Sequence, residues 1–487
     1  MKFIIKLFPE ITIKSKPVRK QLVNQLRDNM RRVLKQVNEH VKVTGQWDRI
    51  DVDIDAPGSA DDQGTAARIA QALQCIPGIA NFIEVTEHSF SSFDDIFQLT
   101  KNVYAETLAG KSFVVRVKRA GKHDFKSGDV ERYVGGGLLQ HTGARAVDLH
   151  NPDLTVNLEI RDDKLYIITR RYEGLGGFPL GSQDAVLSLI SGGFDSTVSS
   201  YLTMRRGLKT HFCFFNLGGS AHEVGVKQVA LYLWEKYSQS HRVKFVTVPF
   251  EAVVAEILRS VHHSQMGVVL KRMMMRAAAT VADEMKLVSL VTGESVAQVS
   301  SQTLMNLSVI DCVTDKLILR PLVTMDKLDI IRLSAQIGTE DFAKNMPEYC
   351  GVISDRPTTR AKMERIVEEE GNFNFDVLEQ AIAEKATINI DEVMDSIVIA
   401  GDVEVVSTPA VNDVIVDIRH PNEEEKSPLE LTNNEILKIP FYELASGSLP
   451  FDADKRYLLF CEKGTMSQLH ASHMKQEGKA NVLVYKP

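Results

Sequence analysis

Two short strings in this 487-residue chain carry residue types whose spacing could do chemistry. The first is Ser191-Gly192-Gly193-Phe194-Asp195-Ser196-Thr197, directly after the apolar run AVLSLI, which ends in Leu189 and Ile190. Two glycines let the backbone approach a ligand closely, and a helix starting behind them offers free N–H groups and the positive end of its dipole. That geometry binds phosphate. The lysine of a GxxxxGK[ST] loop is missing, so the loop is not of the Walker type. The second string opens at Cys461, after the apolar run YLLF, and continues Glu462-Lys463-Gly464-Thr465-Met466-Ser467 into a helical stretch near 468–477. A thiol at a strand end, ringed by backbone N–H groups with a helix start beyond, is favoured as thiolate, and the same loop would stabilise a persulfide anion.

Weaker candidates lie between these strings. Lys271 sits in LKRMMMR, Gly293 in TGES after LVSLVT, Gln302 in VSSQT and Lys327 in RPLVTMDK. Singly, such lysines are most often surface groups. Lys271 falls early in a long helix, whereas Gly293 follows the apolar strand, and strand C-termini line ligand crevices in parallel sheets. Cys350 lies in MPEYCGVISDRPTT, where Pro347, Gly351 and Pro357 indicate a loop. A loop thiol is a candidate reactive group. Cys75, Cys213 and Cys312 have mainly apolar neighbours and read as packing residues. No CxxC pair or other metal-ligand spacing occurs, so no metal site is expected in the protein itself.

The composition, 44% hydrophobic and 25% charged, is that of a globular protein of several domains. No apolar run approaches the ~20 residues of a membrane helix, and the start does not read as a signal peptide. Scattered cysteines suit a reducing cytoplasm. The net charge of −7 is uneven. Residues 1–50 hold 12 Lys and Arg against 4 Asp and Glu, whereas residues 401–487 hold 9 against 14. An acidic average can hide a basic nucleic-acid surface at one end. Lys14, Lys16, Arg19 and Lys20 belong to that basic start. In FVVRVKRAGKHDFKS, Arg116 and Lys118 share one strand face, Arg119 takes the other, and His123 and Phe125 follow in the turn. Basic groups beside an aromatic suit RNA contacts, although periodicity alone would call this a charged edge strand.

Elements must position these groups. Strands are expected at 2–7 and 49–54 around a basic helix near 17–39, then a helix at 64–75 and a strand within IPGIANFIEVTEHSF. A helix near 92–109, the strand Phe113–Val117, a helix near 128–141 and strands near 154–160 and 164–170 form a further α+β unit. The glycine-rich EGLGGFPLGSQ (173–183) reads as a linker or hinge. Beyond it, apolar strands alternate with helices at Val198–Arg205, 221–238 and 266–285, the pattern of a parallel, doubly wound sheet. Residues 363–396 read as helix and connector. The last ~90 residues repeat the alternation on a smaller scale.

With these residues in view, SGGFDST resembles the loop of ATP pyrophosphatases, which cleave ATP between its α- and β-phosphates and adenylate a carbonyl oxygen. CEKGTMS, with Asp417-Ile418-Arg419 as a DxR strand motif, resembles the rhodanese domain, although Ser467 stands where common rhodaneses often carry arginine. FVVRVKRAGKHDFKS resembles the THUMP domain, and KLFPEITIKSKPVRKQ the ferredoxin-like domain that precedes it. In this order the four parts resemble the long form of the tRNA 4-thiouridine synthases (ThiI). The resemblance implies a multidomain α/β and α+β fold. Its parts would be a ferredoxin-like domain (1–60), a THUMP domain (61–172), an ATP-pyrophosphatase or PP-loop domain (173–395) and a rhodanese-like domain (400–487).

It also implies roles. ATP would be held by residues 189–197, Lys271, Gly293 and Gln302, with Mg²⁺ accompanying it. Asp195 and Lys327 would serve catalysis. Cys461 would carry a persulfide loaded by a cysteine desulfurase, and Cys350 would resolve it, leaving a Cys350–Cys461 disulfide for a reductant to reopen. The sulfur would go to C4 of the uridine at position eight of tRNA, and in some members to a sulfur-carrier protein for thiamine. Rival readings are a thiolase of another tRNA uridine, an amide-forming ATP pyrophosphatase, and an RNA-binding THUMP protein with a non-catalytic tail.

Overall fold

The computed structural model describes residues 2–45, 49–54, 62–217, 220–344, 346, 356–394 and 403–419, and much of 424–487. The chain forms two compact units. One comprises 1–184 with 204–208 and 236–241, and the other holds the remainder from 185 to 487. Among the described residues, no helix is long and apolar enough to cross a membrane.

The first unit is built on one eight-stranded sheet. Its strands are β1 (Lys2–Leu7), β2 (Val41–Gly45), β3 (Arg49–Ile54), β4 (Ile79–Ser89), β5 (Ser112–Ala120), β6 (Ala146–Val147), β7 (Leu154–Arg161) and β8 (Lys164–Glu173). They lie in the order β2-β3-β1-β4-β8-β7-β5-β6. The helix Lys16–Val37 begins with Pro17 in its first turn, where a missing N–H costs nothing. It buries Leu22, Leu26, Met30 and Leu34 at four-residue spacing, so its basic side chains are left on the outer face. The helix Asp62–Gln74 adds Ala66, Ile69, Ala70 and Leu73 to the same core as β1–β3. A second core gathers Ile96, Phe97, Phe113, Val115, Val134, Leu138 and Ile160.

The second unit begins with a six-stranded sheet: β9 (Ala185–Leu189), β10 (Lys209–Asn216), β11 (Lys244–Pro249), β12 (Ser289–Val291), β13 (Leu317–Leu319) and β14 (Ala386–Asn389). The order is β13-β12-β9-β10-β11-β14, parallel except for β14, which runs antiparallel to β11. Residues Thr210 to Phe215 of β10 are buried without a break, because helices cover both faces. The chain leaves β9 for β10 and β11 on one side and returns to β12 on the other. That reversal opens a crevice at the C-terminal ends of β9 and β12. The loops carrying SGGFDST and TGES both follow those ends.

A separate sheet closes the chain: β15 (Val405–Val406), β16 (Val414–Asp417), β17 (Ile436–Lys438), β18 (Tyr457–Phe460) and β19 (Val482–Tyr485), all parallel, in the order β15-β19-β18-β16-β17. Asp417 on β16 is level with Phe460 on β18, so the DIR motif and Cys461 leave neighbouring strand ends.

Three local outcomes differ from expectation. The helix expected from Val198 begins at Phe194, because the Ser196 and Thr197 hydroxyls both donate to the Gly193 carbonyl (3.2 and 3.1 Å) and fix a first turn there. Residues 363–396 include, besides two helices, the strand β14, whose four residues at a sheet edge carry too little alternation to read. The glycine-rich 173–183 segment is a tied strap, with Leu180 fully buried and Phe178 N–H donating to the Arg205 carbonyl at 3.0 Å. A Cβ at Gly177 would lie 1.9 Å from that carbonyl oxygen.

Candidate active site

The phosphate-type loop is shaped by its own hydroxyls. Ser191 N–H donates to Ser196 Oγ at 3.1 Å, and the two hydroxyls lie 3.2 Å apart. Ile190 is buried and its N–H donates to the Cys213 carbonyl at 2.9 Å, while Leu189 is half-buried at the strand end. Gly192 has a φ of +83°, a conformation that favours glycine. A Cβ there would meet the Met346 thioether methyl at 2.3 Å. Gly193 has no neighbour within 3.4 Å of an added Cβ, the nearest being Ser191 Oγ at 3.9 Å. The loop is therefore open at Gly193, where a ligand would approach. His222 Nε2 lies 3.1 Å from the Ser191 carbonyl. Burial holds the His222 imidazole below its ordinary pKa, against the effect of that hydrogen bond.

Asp195, on the first turn of the helix Phe194–Arg205, meets Lys327, the first residue of the helix Lys327–Ile337. Lys327 Nζ lies 2.8 and 3.0 Å from the two carboxylate oxygens and 5.5 Å from the Phe194 ring centroid. Gln298 Nε2 donates to Asp195 Oδ2 at 2.7 Å. Gly293 lies against the same turn: a Cβ there would be 2.7 Å from Asp195 C and 2.8 Å from Ser196 N. This glycine is thus needed for close packing of the β12 loop on the helix start. Gln302 is buried, and its Oε1 has no hydrogen-bond partner among the described residues.

Lys271 does not stand alone either. Its Nζ donates to Glu294 Oε1 at 2.7 Å, and Arg320 Nε donates to Glu294 Oε2 at 2.8 Å. Arg320 also makes a two-pronged contact with Asp311 at 2.9 and 2.5 Å. Burial would raise the Glu294 carboxyl, but Lys271 and Arg320 together hold it below the usual carboxylate range. The structure thus places Lys327 and Gly293 both against Asp195 and ties Lys271 to the TGES loop. Sequence reasoning missed Gln298, Glu294 and Arg320. Glu294 adjoins Gly293 in TGES and could have been suspected, whereas Gln298 and Arg320 carry no local signal.

In the tail, Cys461 is buried, and Ser467 N–H points at its Sγ from 3.4 Å, with Ser467 Oγ 3.5 Å away. Residues 462–464 and the expected resolving thiol Cys350 lie outside the described residues. Arg419 grips Asp417 through Nε (2.9 Å) and Nη2 (2.6 Å), and its guanidinium stacks 4.9 Å over the Phe460 ring. This buried pair braces the strand end from which Cys461 emerges.

Of the basic residues, Lys14, Lys16, Lys20, Arg116, Lys118 and Arg119 are exposed, and Arg19 and His123 are half-buried. Arg116 donates to the Leu149 carbonyl at 3.1 Å. Arg119 lies 5.6 Å over the Phe125 ring, which also meets Phe93 edge-on at 5.1 Å. His123 Nε2 is 2.8 Å from the Asp162 carbonyl. Phe125 is thus engaged in packing.

Three family descriptions match along the chain: a ThiI ferredoxin-like domain over 2–82, a THUMP domain over 90–170, and thiamine biosynthesis protein (ThiI) over 181–375. The tRNA sulfurtransferase of Marinobacter nauticus is 52% identical over 487 residues, covering 100% of both chains. The chain belongs to the tRNA sulfurtransferase family. The tRNA sulfurtransferase of Shewanella baltica is 56% identical over 490 residues, again covering 100% of both chains. A crystal structure of a 4-thiouridine synthetase–RNA complex with bound ATP is similar with a TM-score of 0.69 and 27% identity, covering 80% of this chain and 99% of that one. The expected succession of ferredoxin-like, THUMP and parallel-sheet PP-loop domains is the one this chain carries. The ferredoxin-like match extends past an expected break at 60/61, in keeping with the helix Asp62–Gln74 packing in the first core.

Proposed function

We propose that the protein converts uridine at position eight of tRNA to 4-thiouridine, using ATP for activation and a Cys461 persulfide as sulfur source. The observation that carries this reading is the open phosphate-type loop at the sheet's switch point, with Lys327 and Gln298 both on Asp195. The similar 4-thiouridine synthetase, with its RNA and ATP, supports it. ATP would lie along residues 189–197, with Lys271, Gly293 and Gln302 nearby. Mg²⁺ would arrive with the nucleotide, and Asp195, the carboxylate of the loop, would meet it by exchanging contacts made to Lys327. The uridine O4 attacks the α-phosphorus and pyrophosphate leaves. Adenylation turns a poor leaving oxygen into a good one. The outer persulfide sulfur then forms the C4–S bond as AMP departs, while the Cys350 thiolate attacks the inner sulfur. The resulting Cys350–Cys461 disulfide takes two electrons from a reductant. A cysteine desulfurase would reload Cys461, and a thiamine sulfur-carrier protein would be a second acceptor. This is a cytoplasmic setting.

Two placements support the tail's part. Cys461 receives the Ser467 N–H at the end of β18, and Met346, four positions before Cys350 in sequence, lies against Gly192. The exposed cations of residues 14–20 and 116–119 support tRNA binding through phosphate. The test is mass spectrometry of tRNA nucleosides after incubation with ATP, a cysteine desulfurase and cysteine. Cys461→Ser should form AMP but no 4-thiouridine. Cys350→Ser should load sulfur on Cys461 but fail in turnover. Full thiolation by Cys461→Ser would refute the persulfide route, and a modified base other than position eight would redirect the substrate.

A further inference from the structure

The proposed chemistry rests on Asp195, and Gln298, which holds Asp195 opposite Lys327, takes part in none of its bond-making steps. Gln298 Nε2 donates to Asp195 Oδ2 at 2.7 Å, while Lys327 reaches both oxygens. The loop that brings Gln298 there is held in an unusual conformation. Ala297, immediately before it, has a φ of +66°, which residues other than glycine rarely adopt. Three contacts enforce it. Ala297 N–H donates to the Gln302 carbonyl at 3.0 Å, Val296 N–H to the Val323 carbonyl at 3.1 Å, and Ser295 Oγ to the Met325 carbonyl at 2.9 Å. The last two tether the loop to the segment leading into Lys327, so both partners of Asp195 are set by one piece of structure. The other end of the Gln298 amide is buried, and its Oε1 has no hydrogen-bond partner among the described residues. A buried acceptor without a partner is costly unless a ligand supplies a donor.

We propose that Gln298 is a positioning residue for the adenylation step: its amide N–H fixes the orientation of the Asp195 carboxylate opposite Lys327, and its amide oxygen accepts a hydrogen bond from an N–H or hydroxyl of the nucleotide substrates. This rests on the reaction proposed above. The conformation at Ala297 is maintained because it delivers this amide to Asp195.

The experiment measures AMP release from ATP in the presence of tRNA, with kcat and KM for ATP resolved, across pH 5.5 to about 9. Gln298→Ala removes a hydrogen bond to a charged group and should lower kcat/KM by about 10- to 150-fold. Gln298→Glu supplies the readout that loss of structure would not give. Among the described residues, the charged groups linked to the Gln298 amide are Asp195 directly and Lys327 through Asp195. Two carboxylates at hydrogen-bond distance share one proton, and only the protonated introduced carboxyl donates as the amide did. Gln298→Glu should therefore gain activity as pH falls, on a limb the wild type lacks. Should Gln298→Ala show no cooperative melt, the Gln298→Glu profile decides alone. A Gln298→Ala enzyme within two-fold of wild type, or a Gln298→Glu enzyme with the wild-type profile, overturns the role. A wild type that releases no AMP overturns the underlying reaction, and this role with it.

Discussion

Replacing Gly293 with alanine should injure ATP use through the helix start, without touching any charge. The position has no left-handed φ, so alanine is conformationally allowed and the effect is steric. The added Cβ would lie 2.7–2.8 Å from the backbone of Asp195 and Ser196, where ordinary contact begins at 3.4 Å. The β12 loop or the first helical turn must therefore move by about 0.6 Å, because backbone cannot swing aside as a side-chain end can. Overpacking of this kind costs about 1–3 kcal/mol of stability. A displacement approaching 1 Å at a reacting group costs on the order of 10²-fold in rate. Gly193→Ala is the contrast, since its methyl enters open space with its nearest neighbour at 3.9 Å. That variant should keep its unfolding midpoint in urea yet bind ATP more weakly, because the methyl occupies the approach to the loop. The assay is urea denaturation for stability and AMP release for kcat and KM. A Gly293→Ala protein with wild-type stability and rate would refute the close-packing argument. A Gly193→Ala protein with unchanged KM for ATP would refute the openness of the loop as a nucleotide site.

Two further outcomes follow from buried charge. Burial, then Lys209 and Lys244, push the His211 pKa down to about 4, and its Nδ1 accepts the Lys244 N–H at 2.9 Å. The fold therefore requires neutral imidazole: its contribution is complete above the unfolded value near 6.5 and is lost as pH falls from there toward 4, roughly 3 kcal/mol in all. Urea denaturation at pH 7.5 and pH 4.5 should show that loss in the wild type and a smaller one in His211→Gln; equal losses would refute it. Glu294→Gln should cost about 3 kcal/mol, because Lys271 loses its carboxylate while Arg320 keeps Asp311. The Glu294 carboxylate is held below its ordinary range, so the wild-type advantage should persist at neutral pH and fade only as pH drops below about 4.5. An advantage unchanged at pH 3 would contradict this.

Much of this protein was legible in its sequence because the signals were local. SGGFDST and CEKGTMS announce their strand–loop–helix settings through glycines and a flanking apolar run, and the burial of Thr210 to Phe215 follows from an unbroken apolar strand. The basic helix expected near 17–39 is found at Lys16–Val37, within two residues at each end. Tertiary structure alone decided which distant groups meet. Lys327 pairs with Asp195 across 132 positions, and Gln298 reaches it across 103. No periodicity encodes such pairs, since they depend on the order β12-β9-β10 that brings two strand ends together. Lys271 is a candidate nucleotide contact by sequence, and only the fold shows its Nζ on Glu294, which also accepts from Arg320. Gly293 reads in the sequence as a crevice residue after an apolar strand, and the fold adds a packing reason, the backbone of Asp195 lying where a side chain would go. Sequence determines what each short segment prefers, while the charge network and the close approaches at the site arise from long-range packing that no segment contains.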